Sequence, residues 1–177
     1  MDMQTLERPT AAAGQILDRA ALEAFLFAEA RALDDRDWDA WLTFYHPDCE
    51  FWMPAWDDFD TLTEDPQREM SLIWYPDKSG IEDRVFRIKT DRSSATSLPE
   101  PRTAHFIANV EIMGVDGARM HVRFNWQTLS FRYGETDRHW GTSFYEIDCS
   151  AAAPLIGRKK VVLKDDHIHH VVDIYHV

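Results

Sequence analysis

The sequence is poor in cysteine. Cys49 and Cys149 are the only two in 177 residues, too few for a four-cysteine zinc or iron–sulfur site. Far apart in the chain, they are expected to be reduced thiols packed as small apolar groups. Long apolar runs are also missing, and none approaches the ~20 residues that span a bilayer. The opening MDMQTLERPTAAAGQ lacks the apolar stretch of a secretory signal, so the expected compartment is the cytoplasm. Basic residues are scarce, 19 Lys and Arg against 31 Asp and Glu, for a net charge of −12. A field of that sign repels phosphate backbones, which sets aside nucleic acid and anionic membrane as partners.

What remains is the composition of a folded domain, 45% hydrophobic and 12% aromatic. Residues 1–14 read as a loose tail and 15–177 as one domain. Gln15 to Leu33 carries Leu22, Leu26, Glu29 and Leu33 on one stripe, flanked by Leu17, Ala21, Phe25, Ala28 and Ala32, the broad apolar face of a helix. Asp34-Asp35-Arg36-Asp37 ends it. Asp37 then caps a second helix with Trp38, Trp41, Leu42 and Tyr45, stopped by Pro47. Cys49 to Met53 reads as a strand. Pro54 to Thr103 is expected to be irregular, with a short helix over Ile81 to Thr90.

Beyond Thr103 the apolar period becomes two. His105–Met113, His121–Tyr133, Thr142–Ser150 and Arg158–Lys164 read as strands, and Asp166–Val177 as a fifth, together an antiparallel meander. In the second strand Val122, Phe124 and Trp126 share one parity, whereas Leu129, Phe131 and Tyr133 have the other. A strand with one buried face needs an extra residue to change parity, which predicts a bulge near Gln127-Thr128 and a strongly bent sheet. The expected fold is α+β, two N-terminal helices packed across a curved antiparallel sheet to form a cone.

The order of elements, with the turn LDDRDWDAW, resembles the nuclear-transport-factor-2-like (NTF2-like, cystatin-like) fold. The segments EFWMPAWDD, LTEDPQREMSLIWY, DRVFRIKTDRSSATSLPEPRTAHFIANVEI and KKVVLKDDHIHHVVDIYHV are more specific. They are similar to the small β subunit of bacterial aromatic-ring-hydroxylating dioxygenases, most of all in the benzoate and anthranilate branch. Within that pattern Cys49 replaces an expected alanine. The resemblance implies assembly with a large α subunit, typically as an α3β3 hexamer with the β chains self-associated as a trimer. The α subunit would carry a Rieske [2Fe–2S] cluster and a mononuclear Fe(II), with NADH feeding electrons through a separate reductase. It also implies a structural role for this chain, with no catalytic, cofactor or metal residues of its own.

The residues allow that reading to be weighed. A Rieske centre needs paired Cys and His motifs, and neither Cys49-Glu50-Phe51 nor Cys149-Ser150-Ala151 supplies one. A two-histidine, one-carboxylate iron site is approached only at the C-terminus. As a strand, that segment places His167 and His169 on one face about 7 Å apart at Cα. His170 and His176 would then lie on the other face, as hydrogen-bonded edge-of-core residues. The favoured reading puts His167 and His169 at a surface or subunit contact, with metal binding as the alternative. Arg84, Arg87, Arg92 and Arg102 suit subunit docking, with internal ion pairs or an anionic ligand as alternatives. Trp38 and Trp41 are expected in the core. Trp52, Trp56 and Trp74 are either interface anchors or cover for the cone mouth. A free-standing dehydratase or isomerase would use Asp35, Tyr45, His105 and His121 inside the cone. A small-ligand binding module without chemistry is the third alternative.

Overall fold

A computed structural model describes residues 13–58, 61–90, 100–165, 168 and 170–177. Of the expected tail, residues 1–12 lie outside that range, as do Arg92, His167 and His169. Helix α1 spans Arg19–Asp34, and its cap Asp18 accepts the Ala21 N–H at 2.8 Å, filling one of the orphan donors of the first turn. Its inward residues Leu22, Phe25, Leu26, Glu29 and Leu33 recur at three- and four-residue spacing. Arg36 leaves the helix with a φ of 57°, a left-handed backbone that a long side chain seldom adopts. Its guanidinium is anchored there by Glu100 Oε2 at 2.8 Å and the Pro101 carbonyl at 2.9 Å. Helix α2, Trp38–Leu42, follows behind the Asp37 cap as expected.

Tyr45 opens strand β1, Tyr45–Pro54, instead of closing the helix. Pro47 lies inside this strand, not at a helix stop. Pairing with the neighbouring strand lapses between Tyr45 and Glu50, where a residue without N–H removes no ladder bond. The middle is more regular than its prolines suggest. Strands β2 (Trp56–Asp58) and β3 (Thr61–Leu62) form a small ribbon, β4 (Ser71–Tyr75) pairs with β1, and α3 spans Lys78–Lys89. Ile81, Val85 and Ile88 of α3 face the core.

Strands β5 (Arg102–Asp116), β6 (Arg119–Arg132), β7 (Glu135–Asp148) and β8 (Leu155–Leu163) make the expected antiparallel meander. The six-stranded order is β4-β1-β8-β7-β6-β5, with β1 parallel to β8. The helices pack on one face, and the core lies between them and the sheet.

Two expectations are corrected. The C-terminal stretch forms no strand among the described residues; it ends in a 3-10 helix, Ile174–His176. Nor does β6 carry a bulge, because its register with β7 is continuous from Arg119 to Arg132. Buried residues keep even parity throughout, Met120, Val122, Phe124, Trp126, Thr128 and Ser130. The buried row turns polar, and Leu129, Phe131 and Tyr133 lie outside it. The bulges sit in β5, between Ala108 and Glu111, where Asn109 has a φ of 53°, and between Ile112 and Gly114.

Candidate functional site

The inside of the cone is occupied by its own polar groups. Glu29, reaching from the middle of α1, accepts Trp41 Nε1 at 2.8 Å, the Tyr45 hydroxyl at 2.6 Å and Lys159 Nζ at 3.1 Å on one oxygen. The Tyr145 hydroxyl lies 3.4 Å from the other. Burial alone raises this carboxyl, but Lys159 and the hydrogen bonds outweigh it, so Glu29 ionises below the usual carboxylate range. Tyr45 and Tyr145 are pushed well above the usual phenol value by burial and by Glu29. With its charge compensated on every side, the cluster acts as a filled polar plug.

A second polar group lines the other half of the inner face. His105 and Thr128 are cross-strand partners, as are Thr128 and His139. Asp34 at the end of α1 accepts the His105 N–H at 3.0 Å and faces His105 Nδ1 at 2.6 Å. His105 Nε2 and Thr128 Oγ1 are buried with no hydrogen-bond partner among the described residues. The four acid–base candidates do not converge. Tyr45 is tied to Glu29, Asp35 caps α1, His105 pairs with Asp34, and His121 alternates onto the outer face.

The outer face of β5, β6 and β7 has a different chemistry. Phe106, Asn125, Gln127, Arg138 and Trp140 line a shallow groove of about 470 Å³. Phe106 is 55% exposed and Trp140 43%. At one end the Arg102 guanidinium lies 4.7 Å from the Phe131 ring centre. Toward the other end Arg123 binds Glu111 at 2.7 Å, and on the adjoining β8 and β1 Arg158 binds Glu50 at 2.8 Å. Exposed aromatic area flanked by arginine is the composition of interface hot spots. Parity was the signal that could have found it, because Leu129, Phe131 and Tyr133 advertise an apolar outer face.

The remaining candidates are dispersed. Arg84 is largely withdrawn from water, its Nε 2.7 Å from Asp173 Oδ1. Arg87 is exposed and pairs with Asp83 one turn away. Trp56 is half-buried and donates to the Leu163 carbonyl at 2.7 Å; buried Trp52 donates to Ser71 Oγ at 2.9 Å. Trp38 and Trp41 are in the core. The thiols do not fit a Rieske cluster. Cys49 lies in β1 and Cys149 beyond β7, both buried, and burial pushes Cys49 up to about 12 and raises Cys149. Among the described residues no three His, Cys, Asp or Glu side chains are grouped to hold a metal ion.

Comparison with known proteins resolves the family. Residues 28–170 match the family described as ring hydroxylating beta subunit. The chain is 56% identical over 165 residues to benzoate 1,2-dioxygenase subunit beta of Acinetobacter baylyi, spanning 92% of this chain and 97% of that one. It is 54% identical to toluate 1,2-dioxygenase subunit beta of Pseudomonas putida, over 89% of this chain and 96% of that one. The crystal structure of the β subunit of the benzoate 1,2-dioxygenase from Burkholderia mallei superposes with a TM-score of 0.78 at 52% identity, covering 92% of this chain and 99% of that one. By that family match and those identities, this chain, an α+β cone, belongs to the ring-hydroxylating dioxygenase β subunits, the small subunits of an oxidoreductase complex.

Proposed function

We propose that this chain is the non-catalytic, structural β subunit of a cytoplasmic Rieske non-haem iron dioxygenase that cis-dihydroxylates a benzoate-type aromatic carboxylate. Residues 15–177 form its single domain. Three copies assemble with three large α subunits, which carry the Rieske cluster and the mononuclear iron; NADH supplies electrons through a reductase. The identities to benzoate and toluate dioxygenase β subunits support the substrate class.

The observation that carries the structural role is the contrast between the two sides of the sheet. The inner side compensates Glu29 with Lys159, and its Asp34–His105 pair ties the end of α1 to β5, apart from the other dehydratase candidates Asp35, Tyr45 and His121. The outer side leaves Phe106, Trp140 and Arg138 open around a groove. We assign that face to subunit contact, with Arg102 at its edge. Exposed Arg87, on α3 and not on the open sheet face, and half-buried Trp56 are assigned as further contact points of their own. Arg84 supports it from within by fixing the C-terminal segment.

The test is co-expression with the large subunit of the same system. The two chains should purify in equal amounts, with iron content and benzoate turnover appearing only when the large subunit is present. Full turnover by the large subunit and reductase, in an assembly of unchanged size without this chain, would overturn the proposal.

A further inference from the structure

The last residues of the chain are seated against the inner face of the sheet by contacts of differing chemistry. Arg84 of α3 grips Asp173 through two nitrogens, with Nε 2.7 Å from Oδ1. Asp173 caps the terminal 3-10 helix, its carboxylate accepting the Ile174 N–H at 2.8 Å. The Val177 carbonyl accepts Lys159 Nζ at 3.2 Å. Ile174, Tyr175 and Val177 are buried, and the Tyr175 ring lies 6.3 Å from that of Trp38.

His176 closes the arrangement. Its Nδ1 accepts the Asp173 N–H at 3.0 Å, so that nitrogen carries no proton in the seated state. Its Nε2 stands 3.3 Å from Ser130 Oγ. The ring of His139, from β7, lies against it with centroids 4.6 Å apart. The charged and titratable groups around it come from each neighbouring element. They are His105 from β5, Arg132 from β6, Asp137 and His139 from β7, Arg84 from α3 and Asp165 beyond β8, with His170, Asp173 and Tyr175 on the segment itself. Of the carboxylates, Asp173 is bound to Arg84, and Asp137 lies 3.8 Å from His170. A proton added at Nδ1 would turn the acceptor into a donor facing another donor, beside a second imidazole.

We propose that the C-terminal segment is an acid-released latch. It stays seated while the adjacent His176 and His139 rings are neutral, and leaves the sheet when His176 takes a proton. Burial holds the seated His176 down at about 3, with His139, His105, Arg132 and His170 adding to the effect; burial also lowers His139. A histidine in water titrates near 6.5. The released state therefore binds more protons between the two values, and seating is complete above about 6.5 and weakens as the pH falls. Release uncovers the Trp38 ring and the polar row at Ser130.

Hydrogen–deuterium exchange of the full chain, corrected for intrinsic rates, reads the latch. One imidazole charged only in the released state raises exchange in residues 171–177 by about thirtyfold between about pH 7.5 and about pH 5. In His176→Gln the side-chain carbonyl still accepts the Asp173 N–H, as glutamine does in a capping box, but takes no proton. Most of the rise should then be absent. Unchanged corrected exchange in the natural chain, or the same rise in His176→Gln, overturns the latch. Side-chain nitrogen NMR of the natural chain is an independent check, because the seated His176 must stay neutral, with Nδ1 unprotonated, over the pH range where exchange accelerates. A ring already charged while the segment is seated sinks the proposal.

Discussion

Lys159 Nζ lies 3.1 Å from Glu29 Oε1 with both side chains almost wholly removed from water, 1% and 4% exposed. The pair joins β8 to α1 across the centre of the cone. Lys159→Met would strand the carboxylate among Trp41, Tyr45 and Tyr145, and loss of one partner of a buried pair costs about 3–5 kcal/mol. Changing Glu29→Gln in the same chain removes the stranded charge but keeps an acceptor for Trp41 and Tyr45. The double variant should unfold at higher urea than Lys159→Met alone. Equal midpoints for the two would show that the charge contributes little.

Asp34 ties the end of α1 to β5 through His105 and through Thr103 Oγ1 at 2.9 Å. Burial raises its carboxyl, but the hydrogen bonds and charge of His105, with the Thr103 bond, overcome this and lower it. A depressed carboxyl contributes stability above its unfolded value of about 4 and loses it as the pH falls through the folded value. Asp34→Ala should cost about 2–3 kcal/mol at neutral pH, from the loss of several bonds to a charged acceptor. The gap to the natural chain should narrow in acid. A gap that stays constant across the acid range would contradict the assigned charge state.

On the open sheet face, Trp140→Ala and Arg138→Glu test contact without touching the core. Each should leave the thermal unfolding of this chain within about 0.5 kcal/mol, as surface changes do, while recovery of the large subunit in co-purification falls. A loss of about 2 kcal/mol or more in association is expected at a hot-spot tryptophan. Undiminished recovery in both variants would move the interface elsewhere.

Much of this was legible in the sequence where apolar spacing is regular. The face of α1 and the four strands of the meander follow from periods of 3.6 and two. Thr128 and Ser130 were not legible as core, because a buried polar position is recognisable only once its neighbours are known. His139 and His176 come from segments 37 residues apart in the numbering and meet through the fold alone. Strand β4, Ser71–Tyr75, was hidden because it is a short edge strand whose partner β1 lies across a proline-rich stretch. The pairing of Glu29 with Lys159 had no local signal at all. A glutamate on an apolar helix stripe gives no hint of which distant strand supplies its cation.

Gly141 permits the close approach of β7 and β8, and this makes a sharp comparison possible. A Cβ there would lie 2.0 Å from the Val162 carbonyl oxygen and 3.2 Å from Leu163 Cα. Both are backbone atoms, so a side chain at this position requires β8 to shift. The shift would strain the Lys164 N–H to Trp140 carbonyl bond of 2.9 Å at the end of the ladder. Gly141→Ala is expected to cost about 1–3 kcal/mol, as overpacking does. For a chain of this length that corresponds to a melting point lower by about 2–4 °C per kcal/mol. Gly114 in β5 has open space around its Cβ direction. Gly114→Ala should therefore be neutral, or stabilising by about 0.4–1 kcal/mol through the unfolded chain. Equal melting points for the two variants would show that β8 yields freely at Val162 and that the tight approach is not what holds the strands in register.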